Sequence, residues 1–127
     1  MKRTFFLSLL IVFFTISFVG CNNQKSTKEL YELQEKCKKQ SEEYFKKEFD
    51  GRNGYYINHY NKKLNKCFTL VSYNDGVRNK ILLDINENNK VGGFSYFKED
   101  SIMCDVTGKE CKSEKEWDEL IKPYMEE

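Results

Sequence analysis

The chain has 127 residues, and its 21 lysines and arginines nearly balance its 20 aspartates and glutamates. This length suits one domain, and the near-neutral charge argues against a nucleic-acid partner, because nucleic-acid-binding domains usually carry a basic surface. A single proline, with no repeat or low-complexity stretch, argues against a long disordered stalk.

Residues 1–20 predict an export signal. Lys2 and Arg3 come first, residues 5–19 form an uncharged and mostly apolar run, and Gly20 stands just before Cys21. A basic start, an apolar core of roughly 7–15 residues and a small residue at the cut are typical of a secretory signal peptide. The run is shorter than the roughly 20 apolar residues that a membrane-spanning helix needs.

The junction Phe18-Val19-Gly20-Cys21 resembles the lipobox of bacterial lipoproteins. The resemblance implies that residues 1–20 are removed, that the Cys21 thiol is alkylated with diacylglycerol, and that the new amino group receives an acyl chain such as palmitate. One departure is Phe18, because this position usually holds leucine. The alternatives are an ordinary signal peptide with an unrelated cysteine and an uncleaved signal anchor.

A lipidated Cys21 places the protein on the cell membrane or the outer membrane, facing the periplasm or the exterior. Two or more acyl chains hold a protein stably on a bilayer, since each buried CH₂ contributes about 0.8 kcal/mol. Residues 21–27 then form the lipidated cysteine and a polar tether, with a reach of about 20–25 Å at ~3.5 Å per residue. Residues 28–127 form a single domain, which we expect to lie close to the membrane.

Apart from the lipidated cysteine, the chain has four cysteines, an even number that predicts a disulfide framework in a small exported domain. Four cysteines allow three pairings. A glycine turn within residues 105–110 can bring Cys104 and Cys111 together, which leaves Cys37 to pair with Cys67. The alternatives are a metal site and a redox pair, but no C-x-x-C is present and the spacing does not resemble a zinc module.

The first predicted element of the domain is a helix. Ser26 and Glu29 have the S-x-x-E spacing of a capping box, and Asp50-Gly51 supplies a stop signal. Between them, apolar side chains recur at steps of three and four, which marks one face of a helix. These residues are Leu30, Leu33, Cys37, Tyr44, Phe45 and Phe49.

Five segments then predict strands, because they are rich in β-branched and aromatic residues and are bounded by turn signals. They are residues 55–60, 66–73, 79–85, 93–98 and 102–106. The connections are too short for parallel crossovers, so we expect an antiparallel β-meander of about four to five strands.

A second S-x-x-E, at Ser113 and Glu116, predicts a short C-terminal helix that Pro123 ends or kinks. The element order predicts an α+β fold, with an N-terminal helix, the antiparallel β-meander and the C-terminal helix, and with both helices packed on one face of the sheet. The apolar stripe of the second helix is Trp117, Leu120, Ile121 and Tyr124.

The sequence singles out no catalytic residue, metal ligand or cofactor site. His59 is the only histidine, and an ordinary hydrogen bond in an aromatic strand explains it more simply than a role as general base. Residues 84–88 have the D-x-N-x-N opening of a calcium loop, but Asn89 stands where glycine is needed and Ser95 where a bidentate glutamate is needed. We therefore interpret residues 84–88 as a strand end followed by an asparagine-rich turn.

Aromatic residues are concentrated in the strand region, together with basic residues. If helices cover one face of the sheet, part of this set is exposed on the other face. An exposed aromatic and basic surface suits binding of an envelope protein or a glycan, and the residues predicted to form it are Tyr56, Tyr60, Lys62, Lys63 and Tyr96. The alternative is that these aromatic rings pack in the core.

A second resemblance covers residues 58–68 and 111–117, which are similar to segments of small, uncharacterised exported bacterial proteins. That group implies no activity. The sequence therefore favours a non-enzymatic, lipid-anchored domain that binds another component of the cell envelope. The alternatives are an inhibitor of a cell-wall-degrading enzyme such as lysozyme, by analogy with small disulfide-bonded lipoproteins, and an enzyme whose acidic cluster forms only on folding.

The lipid anchor predicts the behaviour of the variant Cys21→Ser. Because this variant lacks the thiol that accepts diacylglycerol, we expect no incorporation of a labelled palmitate analogue and release from the membrane fraction once the signal is removed. Labelling in the producing cells, followed by fractionation, measures both effects, and Asn22→Ser is the control that keeps the thiol. Membrane partitioning of cleaved, unlabelled Cys21→Ser would contradict the lipoprotein interpretation.

Overall fold

The structure of the protein, a computed structural model, describes residues 25–98 and 101–126, and the predicted signal and Cys21 lie outside the described residues. The predicted α+β fold is confirmed, with an N-terminal helix, an antiparallel meander and a short C-terminal helix. In chain order the elements are α1 (Thr27–Glu48), β1 (Asn53–Asn61), β2 (Lys66–Asn74), β3 (Arg78–Asp84), β4 (Asn89–Tyr96), β5 (Ile102–Val106), β6 (Lys109–Glu110) and α2 (Glu114–Met125).

Both helices begin at the serines that the sequence indicates. Ser26 and Ser113 are N-caps, and their hydroxyls accept hydrogen bonds from the backbone N–H groups of Glu29 (3.2 Å) and Glu116 (3.1 Å). These contacts satisfy backbone donors that the first turn of a helix leaves unpaired. The first helical residue of α1 is Thr27, which the sequence assigned to the tether.

The C-terminal end of α2 is tied to β1. The buried Asn61 side chain donates hydrogen bonds to the backbone carbonyls of Pro123 (2.9 Å) and Tyr124 (3.2 Å). Carbonyls in the last turn of a helix lack partners within the helix, so these bonds stabilise the end of α2. The helix does not stop at Pro123 but extends to Met125.

The six strands form one antiparallel sheet in the order β1-β2-β3-β4-β5-β6, so each strand pairs with its neighbours in sequence. The strand count is slightly higher than predicted. The additional strand, β6, has only two residues, too few to show the alternation by which a strand is recognised. Asn65 and Asn88 adopt positive φ in the turns that follow β1 and β3, a conformation that asparagine tolerates better than most residues.

The helices lie on opposite faces of the sheet, and the prediction that both pack on one face is wrong. The Thr69 hydroxyl of β2 hydrogen-bonds to Ser41 of α1, whereas the preceding residue, Phe68, contacts the Tyr124 ring of α2 with 5.3 Å between ring centroids. Successive side chains of a strand point to opposite faces. Because β2 has apolar side chains on both faces, a single helix-covered face could not bury them all. We call the two surfaces the α1 face and the α2 face.

Each face has its own core. On the α1 face, Phe49, Val71 and Leu83 are buried together under α1. On the α2 face, Trp117 is fully buried, and the residues packed with it are Phe68, Leu82, Phe94, Val106, Cys111 and Ile121. Gly92 lies directly beneath Trp117, since a Cβ atom at this position would be only 3.1 Å from the indole ring.

Two disulfides are present, Cys37–Cys67 between α1 and β2 and Cys104–Cys111 between β5 and the segment before α2. These are the pairings that the sequence analysis favours. Disulfides persist in oxidising environments, so they indicate a location outside the reducing cytoplasm. Within the described ranges, neither helix has the length and apolar character needed to cross a membrane.

We expect the two disulfides to contribute unequally to stability. Cys37 and Cys67 are separated by 30 positions and Cys104 and Cys111 by 7. The chain-entropy relation assigns more stabilisation to the longer loop, about 3–4 kcal/mol against about 2–3 kcal/mol. Urea unfolding of Cys37→Ala/Cys67→Ala and of Cys104→Ala/Cys111→Ala measures the two losses. A larger loss for the second pair would show this ranking to be wrong.

Candidate functional site

The three tyrosines predicted to share one binding face lie on different sides of the sheet. Tyr56 and Tyr60 are on the α1 face beneath α1, where the Tyr56 ring packs 5.0 Å from the Phe45 ring and Tyr60 is buried. Tyr96 is on the α2 face, where the Arg78 guanidinium lies 5.2 Å from its ring centroid. The Tyr56 and Tyr60 rings therefore pack in the core, which is the alternative that the sequence left open.

The two lysines of the predicted face, Lys62 and Lys63, lie in the exposed turn between β1 and β2. The same turn holds Asn65, which contacts the ammonium group of Lys25, the first described residue. That ammonium group also donates a hydrogen bond to the Tyr60 hydroxyl (2.6 Å). The five predicted residues are thus divided among the α1 face, the α2 face and this turn, and they do not form one platform.

An open groove lies on the α1 face beside α1. The helix packs on β1 and β2, while β3, β4 and β5 continue the same face and form a depression of about 730 Å³. We call this depression the α1-face groove. The residues that line it on this face include Tyr73, Asn79, Ile81, Lys90, Gly93, Ser95, Met103 and Asp105.

Strand register assembles the groove from segments that are distant in sequence. Asn79 of β3 pairs with Ser95 of β4, and Ser95 pairs with Met103 of β5, so these side chains form one row. A bulge in the β3–β4 pairing brings Lys90 onto the same face. The Lys90 side chain crosses over Gly93, where a Cβ atom would lie 2.5 Å from Nζ, so the glycine makes room for it.

The groove combines exposed apolar surface with polar groups that are already fixed. Met103 is 66% exposed. The Ser95 hydroxyl donates to Asn79 Oδ1 (2.7 Å). The Asn79 side-chain NH₂ donates in turn to a backbone carbonyl (2.8 Å) and to an aspartate carboxylate (3.0 Å) of the β2–β3 turn. Lys90 and Asp105 add charges of opposite sign. Apolar surface bordered by polar and charged groups is typical of protein-binding sites.

A charged cluster lies on the α2 face, between β3 and the start of α2. The Glu114 carboxylate accepts hydrogen bonds from Lys80 (2.8 Å) and Arg78 (2.9 Å), and Lys80 also lies 3.5 Å from Asp118. The hydrogen bond from Lys80 is the main reason that the pKa of Glu114 is below its ordinary value of 4.5, with partial burial acting in the opposite direction. Two cations face two carboxylates here, so the cluster connects α2 to the sheet and leaves no excess charge of either sign.

His59 and Asp84 flank Phe68 on the α2 face. The sequence analysis considers them as a possible general base and as the first residue of a possible calcium loop. His59 Nε2 is buried and has no hydrogen-bond partner among the described residues. The buried Asp84 carboxylate accepts from the backbone N–H groups of Asn86 (3.1 Å) and Glu87 (3.2 Å) and from a lysine on β2 (2.5 Å). These contacts build the β3–β4 turn. The described residues contain no group of three or more His, Cys, Asp or Glu side chains able to hold a metal ion.

Sequence reasoning did not identify the groove. Asn79, Ile81, Ser95 and Met103 have no motif in common, and only the register places them together. One signal could have pointed to an open half of the α1 face, namely the nearly continuous apolar run from Cys67 along β2. Such a run is typical of a strand buried on both faces, and it implies that the two helices are divided between the faces.

Comparison of this chain with protein-family models, curated proteins and solved structures finds no significant match.

Glu114 is expected to stabilise the fold in a pH-dependent manner. Because the pKa in the folded protein is lowered, the carboxylate contributes stability above pH 4.5, and this contribution is lost as the pH falls through the folded-state pKa. Glu114→Gln should reduce the free energy of unfolding by less than about 1 kcal/mol at neutral pH, as partly exposed ion pairs do, and by less in acid. Thermal unfolding across this pH range measures the difference, with Glu119→Gln on the exposed side of α2 as control. A difference that is the same at every pH would rule out this linkage.

Proposed function

We propose that the protein is an exported, lipid-anchored domain that binds another component of the cell envelope, a protein or a glycan, through the α1-face groove and without catalysis. The observation that carries this proposal is the open surface of β3, β4 and β5 beside α1. On this surface Met103 is exposed and Ile81 half-buried, next to the hydrogen-bonded pair of Asn79 and Ser95. Burial of apolar groups favours association, and fixed polar groups add specificity.

The proposed location is supported by the disulfides, which indicate export, and by the lipobox resemblance around Cys21. Lys25 is held at the β1–β2 turn by its contacts with Tyr60 and Asn65. Positions 21 and 25 are only four apart, which corresponds to at most about 14 Å of chain. On this proposal the β1–β2 turn lies close to the bilayer, and the effective tether is shorter than residues 21–27 would allow if all of them were free.

The polar groups of the groove favour binding over chemistry. A general acid or base must exchange a proton with the reacting group, so it needs a titratable atom that is free to do so. Asn79 and Ser95, at the centre of the groove, carry no group that titrates near neutral pH, and they are hydrogen-bonded to each other (2.7 Å). Side chains held in place by such bonds suit recognition of a partner of fixed shape.

Cross-linking from the groove tests the proposal. A photoreactive amino acid in place of Met103, in the full-length protein in its own membranes, should couple to one envelope component. Met103→Asp should weaken binding of that component at least about tenfold, because it replaces apolar surface with a charge that must lose its hydration on binding. Titration of the detergent-solubilised protein against the captured component measures this change.

Leu64→Asp is the matched control, because Leu64 is 43% exposed in the β1–β2 turn, outside the groove. Binding should persist in this variant. Undiminished binding by Met103→Asp, or an equal loss in both variants, would mean that the groove is not the binding surface. Near-stoichiometric inhibition of lysozyme that is lost in Met103→Asp would identify the partner as a cell-wall-degrading enzyme.

A further inference from the structure

Strand β1 forms one edge of the sheet and carries none of the charged or proline residues that usually protect an edge. It has nine residues, NGYYINHYN, and within the described chain its only strand neighbour is β2. The strand contains no lysine, arginine, aspartate, glutamate or proline. Tyr55 and Ile57 are 60% and 50% exposed. An edge strand presents unpaired backbone N–H and C=O groups, so a long, uncharged and partly apolar edge is a template for pairing with another strand.

The opposite edge of the sheet is protected. Strand β6 has only two residues, Lys109 and Glu110, and both are charged and exposed. Short strands and charged side chains are the means by which natural proteins prevent edge-to-edge pairing. Of the two edges that the described residues form, β1 is therefore the one that offers a long, uncharged strand for pairing.

We propose that β1 pairs antiparallel with β1 of a second copy of this chain, which gives one continuous sheet across a two-fold symmetric dimer. A two-fold axis places each residue opposite a residue of the same strand. A charged residue at the axis would face the same charge in the second copy, and directly opposed like charges are destabilising. A charged residue away from the axis would need an opposite charge across from it, which only one register could supply. The uncharged β1 avoids this cost, whereas it offers no electrostatic attraction to a strand of another, charged protein.

Ile57 is the central residue of β1, and a two-fold axis at this position produces favourable pairs. Ile57 then faces Ile57 of the second copy, and Tyr55 faces His59. These side chains are all on the α2 face, since they pair with Leu70, Ser72 and Phe68 of β2. The exposed tyrosine and isoleucine of each copy therefore meet in one cluster, where removal of their apolar surface from water favours association.

The dimer goes beyond the proposed function, and it leaves the α1-face groove accessible. The α1-face groove lies on β3, β4 and β5, whereas β1 is separated from these strands by β2. A second copy at the β1 edge would therefore extend the sheet away from the groove, and each copy would keep its own binding surface.

Sedimentation of the full-length protein, extracted from its membranes in detergent, tests this inference. The wild type should be a dimer. Ile57→Lys places two like charges at the two-fold axis and should raise the dimer dissociation constant at least about tenfold. Tyr55→Lys provides a second disruptive variant if Ile57→Lys does not fold, and Met103→Lys, at a methionine of β5 that is 66% exposed, should leave the dimer intact.

Photocross-linking in the producing cells gives a second readout. A photoreactive phenylalanine analogue in place of Tyr55 should yield a covalent dimer of this chain, and the same analogue in place of Met103 should not. A monomeric wild type, a dimer that folded Ile57→Lys and Tyr55→Lys leave unchanged, or cross-linking of position 55 only to a different protein would overturn the inference. The Met103→Asp variant should remain dimeric, so failure of the groove proposal and failure of the dimer are distinguishable.

Discussion

Contacts between α1 and β2 at the centre of the α1 face determine how the rest of the domain is arranged. The fully buried Ser41 hydroxyl donates to the Cys37 carbonyl (2.8 Å) and lies 2.5 Å from the Thr69 hydroxyl, while Cys37 is bonded to Cys67. Residues four apart on a helix share a face, as do residues two apart on a strand. One covalent bond and one hydrogen bond therefore join the same helix face to the same strand face, and α1 cannot slide along β2 without breaking both.

This attachment assigns the alternate residues of β2 to the two faces of the sheet. With Cys67 and Thr69 directed at α1, Phe68 and Leu70 face away from it, and these apolar side chains must be buried by a second element. Helix α2 is that element, with Trp117 buried above them in the second core. Each helix covers only part of its face. In the described part of the chain, β4, β5 and part of β3 therefore stay open on the α1 face, and no further strand pairs with the edge of β1.

The elements and the Cys104–Cys111 disulfide could be predicted from the sequence because each depends on a local pattern, and the Cys37–Cys67 pairing followed because these were the two cysteines left. The capping serines, the asparagine turns and the position of Cys37 on an apolar stripe all lie within a few residues of the feature they specify. The side on which α2 packs depends on a distant strand, yet residues 67–71 of β2 are nearly all apolar, which is typical of a strand buried on both faces. Treating β2 as half-buried leads directly to the incorrect placement of both helices on one face.

The surfaces available to partners could not be predicted, because strand order and register determine which residues become neighbours and which strand lies at the edge. Aromatic residues suit binding, but in a sheet covered on both sides they fill the cores first, as Tyr56 and Tyr60 do. The groove is built instead from residues with weak individual signals, such as Asn79, Ser95 and Met103, which become neighbours only through pairing. The absence of charge in β1 is visible in the sequence, but an uncharged strand inside a sheet is ordinary. Only its position at the edge makes the same nine residues a surface on which another strand can pair.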